Sequence, residues 1–228
     1  MKTVPGQAEV WEFRRRLLNW YAEKGRDFSW RSPTASLYEQ VISEVLLQRT
    51  TATAVAAYLP RFLTRFPDWG TIESTAVGDL EHELRPVGLW KRRAESMKRL
   101  ATAIIERNLE FPRTRAEIEA LPGIGQYIAS AVLLFRYGQA EPLLDTNMAR
   151  VLERYFGPRT LADIRYDPYL QRLAKASVDG PYAKEVNWAI LDLAALVCRR
   201  VNPLCADCPL TKTCRTGKAR LGESAAVT

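Results

Sequence analysis

A single histidine, His82, stands in a chain of 228 residues. Catalytic triads, two-histidine metal sites and histidine general bases are thereby nearly excluded. His82 itself lies in GDLEHELRP, a polar helical stretch without ligand-like neighbours. Long apolar runs are also missing: no segment approaches the roughly 20 apolar residues that cross a bilayer. The opening MKTVPGQAEVWEF has no apolar signal-peptide core. No alternating strand pattern survives between the Pro and Gly breaks, and there is no internal repeat or low-complexity segment. These absences lead us to expect a cytosolic helical protein with no membrane partner. Length and a 47% hydrophobic content allow one large or two modest domains.

Apolar residues recur at helical spacing almost throughout. Val10, Phe13, Leu17, Leu18 and Tyr21 form one stripe, and Val41, Val45 and Leu46 a second. Val55, Tyr58, Leu59, Phe62 and Phe66 follow, then Met97, Leu100, Ile104 and Ile105, then Ile128, Ala131, Val132 and Phe135. Val151, Leu152 and Tyr155 precede a last stripe of Val186, Ile190, Leu193 and Leu196. Punctuation at Pro33, Pro60, Pro67, Gly70, Gly88, Pro112, Gly138, Pro142 and Pro158 divides these into about ten helices. The fold class is all-α. The terminal GESAAVT reads as frayed.

Cysteine is scarce, and all four residues fall in one stretch: Cys198, Cys205, Cys208 and Cys214, spaced C-x6-C-x2-C-x5-C. Two disulfides would add little to so short a loop in a chain of this size. Structural zinc prefers two close pairs, and only Cys205 and Cys208 make one. The uneven spacing suits an iron–sulfur cubane, with one thiolate per iron.

The net charge is +7, which favours a polyanionic partner. From Arg199 to Arg220 six basic residues face one acid, Asp207; around the cysteine loop these read as phosphate contacts, Arg199 and Arg200 foremost. Upstream, Leu121-Pro122-Gly123-Ile124-Gly125 links two helical stretches, with Thr114 as the cap of TRAEIEAL and Gly125 opening QYIASAVLLF. Two glycines one residue apart allow a sharp turn whose bare amides, at a helix N-terminus, admit an anion.

The cysteine run, the LPGIG turn and Asp145 downstream occur together and in order. With ISEVLLQRT, VGLWKRRA, LLDTNMARVLERYFG and VNWAILDLAALVC, the chain resembles the helix-hairpin-helix superfamily of base-excision DNA glycosylases over residues 10–216. The resemblance is strongest to the mismatch thymine glycosylases and next to the MutY-type adenine glycosylases. It implies a six-helix barrel domain over residues 25–136, with the helix-hairpin-helix at 114–136. It implies a second helical domain, 1–24 plus 137–228, with a 4Fe-4S cluster held at 198–214 by Cys198, Cys205, Cys208 and Cys214. A DNA-reading cleft would lie between the two, and the partner would be double-stranded DNA with a mismatched or damaged base, bound by a monomer at the nucleoid.

Site residues follow from the same matches. Asp145 corresponds to the catalytic aspartate that stabilises the sugar cation; on its own it also reads as a helix N-cap. Two residues after Gly125, lyase-competent relatives carry a lysine that forms an imine. Here Tyr127 stands, and a phenol cannot, so a monofunctional enzyme without strong lyase activity is expected. Glu44 would hold a proton for the leaving base. Arg49 would plug the gap left by a flipped base, Leu89 would wedge beside it, and Gln48 would read the widowed guanine. Lys91, Arg92 and Arg93 would hold phosphates, as would the amides of Gly123 and Gly125.

Tyr127, Glu44 and QRTT favour thymine or uracil opposite guanine. Adenine opposite 8-oxoguanine or guanine is the alternative, weakened by Tyr127 and by the short segment after Cys214. A non-catalytic iron–sulfur DNA-binding protein is a third reading; it would not need Glu44 and Asp145.

Overall fold

A computed structural model describes residues 2–222. Among these residues the regular structure is wholly helical: α1 (Gln7–Lys24), α2 (Leu37–Leu47), α3 (Ala52–Arg65), α4 (Trp69–Ser74), α5 (Val77–Leu84), α6 (Trp90–Ile105), α7 (Arg115–Glu119), α8 (Gln126–Tyr137), α9 (Thr146–Phe156), α10 (Pro168–Val178), α11 (Ala183–Leu196) and α12 (Arg215–Leu221). The frayed-tail expectation for GESAAVT lies, from residue 223 on, outside the described residues. No helix among them is long and apolar enough to cross a membrane. The chain divides into two compact units, residues 27–139 and the segments up to Arg26 and from Ala140 onward.

The unit of residues 27–139 holds α2 to α8. Helix α2 is buried on every face from Val41 to Leu46 and packs on α3 and α8, while α6 packs on α4 and α5. Its helix starts carry side-chain caps: Ser36 accepts from the Glu39 amide (3.1 Å), Thr51 from Ala54 (3.3 Å) and Asp68 from Thr71 (2.7 Å). The aromatic residues Phe62 and Phe66 are fully buried with ring centroids 4.8 Å apart, each contributing about 2 kcal/mol by burial. Two expected breaks are not breaks. Pro60 lies inside α3, where Val55, Tyr58, Leu59 and Phe62 bury both halves of the helix in one core and outweigh the lost hydrogen bond. Gly70 lies in the first turn of α4, behind the Asp68 cap. Ile105 and Leu196, read as stripe residues, are exposed at the last positions of α6 and α11.

In the other unit α1 packs on α10 and α11, and α9 on α10, α11 and α12. Phe13 of α1 meets Tyr155 and Phe156 of α9 at 4.9 and 5.1 Å between centroids. The buried carboxylate of Asp192 on α11 accepts from the Arg26 backbone amide (2.7 Å) and Nε (2.9 Å), which fixes the end of the N-terminal segment. Fully buried Asn187 accepts from the Leu143 amide (2.7 Å) and donates to the carbonyls of Glu141 (3.1 Å) and Ala183 (2.8 Å). It thereby pins the extended segment that leads into α9.

Candidate active site and DNA interface

The hairpin joins α7 to α8. Thr114 caps α7 through the Glu117 amide, and Leu121 and Ile124 anchor the turn in the core. The two glycines have different reasons to be there. Gly123 takes φ 76°, and a Cβ on it would come within 3.1 Å of the Ser96 Cβ. Gly125 is extended (φ −103°), and a Cβ there would meet nothing within 4 Å. The fold requires a glycine at 123 only. At 125 the missing side chain leaves the start of α8 exposed and without a side-chain cap, which suits a close anionic group. Tyr127, in the first turn of α8, is half-buried against the core. Glu44, on α2, is 4% exposed, so it is not a solvated surface acid.

After α2 and before α6 come two short turns. Gln48 and Arg49 are exposed in the first, and Leu89, 45% exposed, ends the second. Lys91 and Arg92 point to solvent on α6. Arg93 does not, and the expectation that it holds phosphate is corrected. It is 4% exposed, in phase with buried Ala94, Met97, Leu100 and Ile104. Its guanidinium donates to main-chain carbonyls of both turns.

Asp145 is the N-cap of α9. Its Oδ1 accepts from the amides of Asn147 (2.9 Å) and Met148 (2.8 Å), and its Oδ2 from the Asn147 side chain (2.7 Å). Burial pushes its carboxyl above the ordinary value, and those donors with the nearby Arg150 only partly offset this. The contacts continue along α9. Asn147 Oδ1 accepts from both terminal nitrogens of Arg150 (3.1 Å), and Arg150 donates Nε to the Cys198 carbonyl (2.9 Å) and Nη2 to the Ala194 carbonyl (3.0 Å). One turn on, Arg154 donates to the carbonyls of Arg199 (2.8 Å) and Arg200 (3.1 Å) and to the Cys198 sulfur (3.4 Å). The side chains of Arg199 and Arg200 are exposed.

Cys198, Cys205, Cys208 and Cys214 are half-buried and in no disulfide. All four line one cavity, open in part to solvent, with Val197, Pro203, Leu204, Thr211 and Gly217. Among the described residues no three His, Cys, Asp or Glu side chains form a group able to hold a metal ion. A zinc ion needs its sulfurs about 2.3 Å from a single point, whereas a cubane spreads one thiolate to each iron around a larger body. Four thiols lining one cavity are the donor set that such a group would use. Burial pushes the Cys208 thiol up to about 11 and the Cys214 thiol upward as well. The Gly217 amide lies 3.3 Å from the Cys214 sulfur, and a Cβ at Gly217 would come within 3.1 Å of the Thr211 backbone.

The family model for the HhH-GPD superfamily base excision DNA repair proteins matches residues 42–178, from Glu44 through the hairpin and Asp145. The chain belongs to the HhH-GPD superfamily. As such it is a DNA glycosylase, a hydrolase acting on N-glycosyl bonds. It is similar to the thymine-DNA glycosylase of Aeropyrum pernix, 38% identical over 206 residues, 88% of this chain and 92% of that protein. It is also similar to the adenine DNA glycosylase of Buchnera aphidicola subsp. Baizongia pistaciae, at 31% over 209 residues, 90% of this chain and 58% of that one. Its fold matches the solved structure of a thermostable thymine-DNA glycosylase with a TM-score of 0.85 at 30% identity, covering 93% and 98% of the two chains.

Within this HhH-GPD chain, sequence reading missed Asn147, Arg150, Arg154 and Asn187. The first three had a signal. Their spacing of three and four residues puts them on one face of α9 behind the Asp145 cap. Asn187 had none, because its partners in the segment before α9 lie 44 and 46 residues away in sequence.

Proposed function

We propose that the chain is a monofunctional DNA glycosylase that removes thymine or uracil mispaired with guanine and leaves an abasic site in double-stranded DNA. The observation that carries this reading is Tyr127, two residues past Gly125 on the first turn of α8: a phenol cannot form an imine with the sugar. The names of similar proteins, thymine-DNA glycosylase and thymine/uracil-DNA glycosylase, support the choice of base. As the sugar–base bond breaks, the electron pair leaves with the base and positive charge builds on the sugar. Asp145, as the anion, stabilises that charge and orients the attacking water. The water oxygen bonds to the sugar carbon, and one proton ends on the departed base. Glu44, when it carries a proton, hydrogen-bonds the base edge or delivers that proton. Arg49 and Leu89 occupy the gap, and Gln48 reads the widowed guanine. The amides of Gly123 and Gly125 hold phosphates, as do the side chains of Lys91, Arg92, Arg199 and Arg200. Cys198, Cys205, Cys208 and Cys214 hold a 4Fe-4S cluster, which orders the basic loop beside it and takes no part in glycosyl chemistry.

The similarity to adenine DNA glycosylases favours a second substrate, adenine opposite 8-oxoguanine. One panel decides between them: labelled duplexes containing G·T, G·U, 8-oxoguanine·A and G·A, each resolved with and without alkali. Cleavage of G·T and G·U strands after alkali only is expected. Cleavage confined to the adenine strands overturns the base assignment, and cleavage without alkali overturns the monofunctional one.

A further inference from the structure

Arg49 and Leu89 adopt left-handed backbone, at φ 58° and 50°, although neither is glycine. L-residues avoid this region unless their surroundings impose it. Arg49 lies just past the C-cap of α2, and Leu89 is the N-cap of α6. The buried guanidinium of Arg93 joins the two turns. Its Nη1 donates to the carbonyls of Val87 (2.9 Å) and Gly88. Its Nη2 donates to the carbonyls of Gln48 (2.9 Å) and Leu46 (3.2 Å) and lies 3.4 Å from the Thr50 hydroxyl. Thr50 closes the ring by donating to the Val87 carbonyl at 2.9 Å. One nitrogen thus holds the turn of Leu89 and the other the turn of Arg49. A buried cation is costly unless its donors are met, and here both terminal nitrogens are met by main-chain carbonyls and one hydroxyl. With the fork in place, neither turn can relax to ordinary backbone without giving up a bond to Arg93.

We propose that Arg93 is the positioning residue that sets Arg49 and Leu89 as a pre-formed pair for entry into the gap left by an extruded base. This rests on the glycosylase reading and on the gap-filling roles assigned above. The strained backbone is then built into the fold rather than formed on DNA, so the pair needs no rearrangement when a base leaves the stack. A lysine has a single nitrogen and cannot span both turns.

The test follows base extrusion by the fluorescence of 2-aminopurine placed beside uracil in a G·U duplex, together with single-turnover release of uracil. Arg93→Lys is the main variant, and Arg93→Met, which keeps the stem, is the second. Each is made in the wild-type background and in Arg49→Ala/Leu89→Ala. In the wild-type background extrusion slows by roughly 10-fold, the worth of one lost charge-assisted hydrogen bond. In the double-alanine background the same change at 93 adds nothing. A role confined to stability would lower Tm and the amplitude of the burst while leaving the extrusion rate constant unchanged. That outcome overturns the inference, as does an undiminished loss in the double-alanine background. If Arg49→Ala/Leu89→Ala itself extrudes uracil at the wild-type rate, the gap-filling roles fail and this inference fails with them. If wild-type enzyme releases no base from any duplex of the panel, the proposed function is what has failed.

Discussion

At the carboxyl of Asp145 burial and hydrogen bonding pull against each other. Burial raises its pKa above 3.8, and the amides of Met148 and Asn147, the Asn147 side chain and Arg150 do not cancel the rise. On the proposed mechanism the anion is the working form, so base release falls as pH drops through a value above that of an ordinary aspartate. Asp145→Asn removes the anion and should lower base release by at least about 100-fold, with DNA binding kept. It should also change stability with a definite sign. A raised pKa means that the fold tolerates the neutral group better than the charged one, so the charged form destabilises once pH rises past the unfolded value. The Tm of Asp145→Asn relative to wild type should therefore climb between about pH 3 and pH 7; a flat or falling difference refutes this account of the group. Asp145 was legible in the sequence because an acid after two leucines and before Thr146-Asn147 sits where a helix begins. Arg93 was misread because a KRR triplet looks like a solvated cluster. Its phase gives it away: with Met97, Leu100 and Ile104 it marks the buried face of α6, whereas Lys91 and Arg92 mark the opposite face.

At the scale of the element, the hairpin separates what the fold needs from what a phosphate would need. Gly123 combines a positive φ with a 3.1 Å approach to Ser96, and Gly125 has neither constraint. Gly123→Ala should therefore destabilise by about 1–2 kcal/mol. Gly125→Ala should be neutral or stabilising by up to about 1 kcal/mol, yet weaken DNA binding, since a methyl group would stand in front of the bare start of α8. Urea unfolding and a binding titration at fixed salt separate the two. Equal loss of stability in both variants would mean that Gly125 is structural after all. Helix existence and most buried faces were legible here, since apolar spacing and caps such as Thr114 and Asp145 are local. Pro60 was not, because whether a proline breaks a helix depends on what the turns on either side of it bury.

Across the whole molecule, the least legible feature is the one that joins segments far apart in the chain. The cysteine loop, Asp145 and α9 belong to one unit, and three hydrogen-bonded steps connect them: Asp145 to Asn147, Asn147 to Arg150, Arg150 to the Cys198 carbonyl. The last step spans 48 residues of sequence, so no local pattern could announce it, although the i,i+3 spacing of Asn147 and Arg150 was visible. The planar guanidinium is suited to the place because it meets Asn147 and two carbonyls, of Cys198 and Ala194, at once. Arg150→Lys retains the charge and loses the fork. Asn147 then loses the contact that orients its amide toward Asp145, and the Cys198 carbonyl loses one of its donors. Single-turnover base release should slow by about 10-fold, as expected for one charge-assisted hydrogen bond. Iron content, expected at about four per chain in the wild type, is measured on the same samples. A slower rate at full iron content places the effect on Asp145, and a slower rate in step with lost iron places it on the loop. An unchanged rate would mean that the contacts along α9 merely pack the helix and set nothing at the carboxylate.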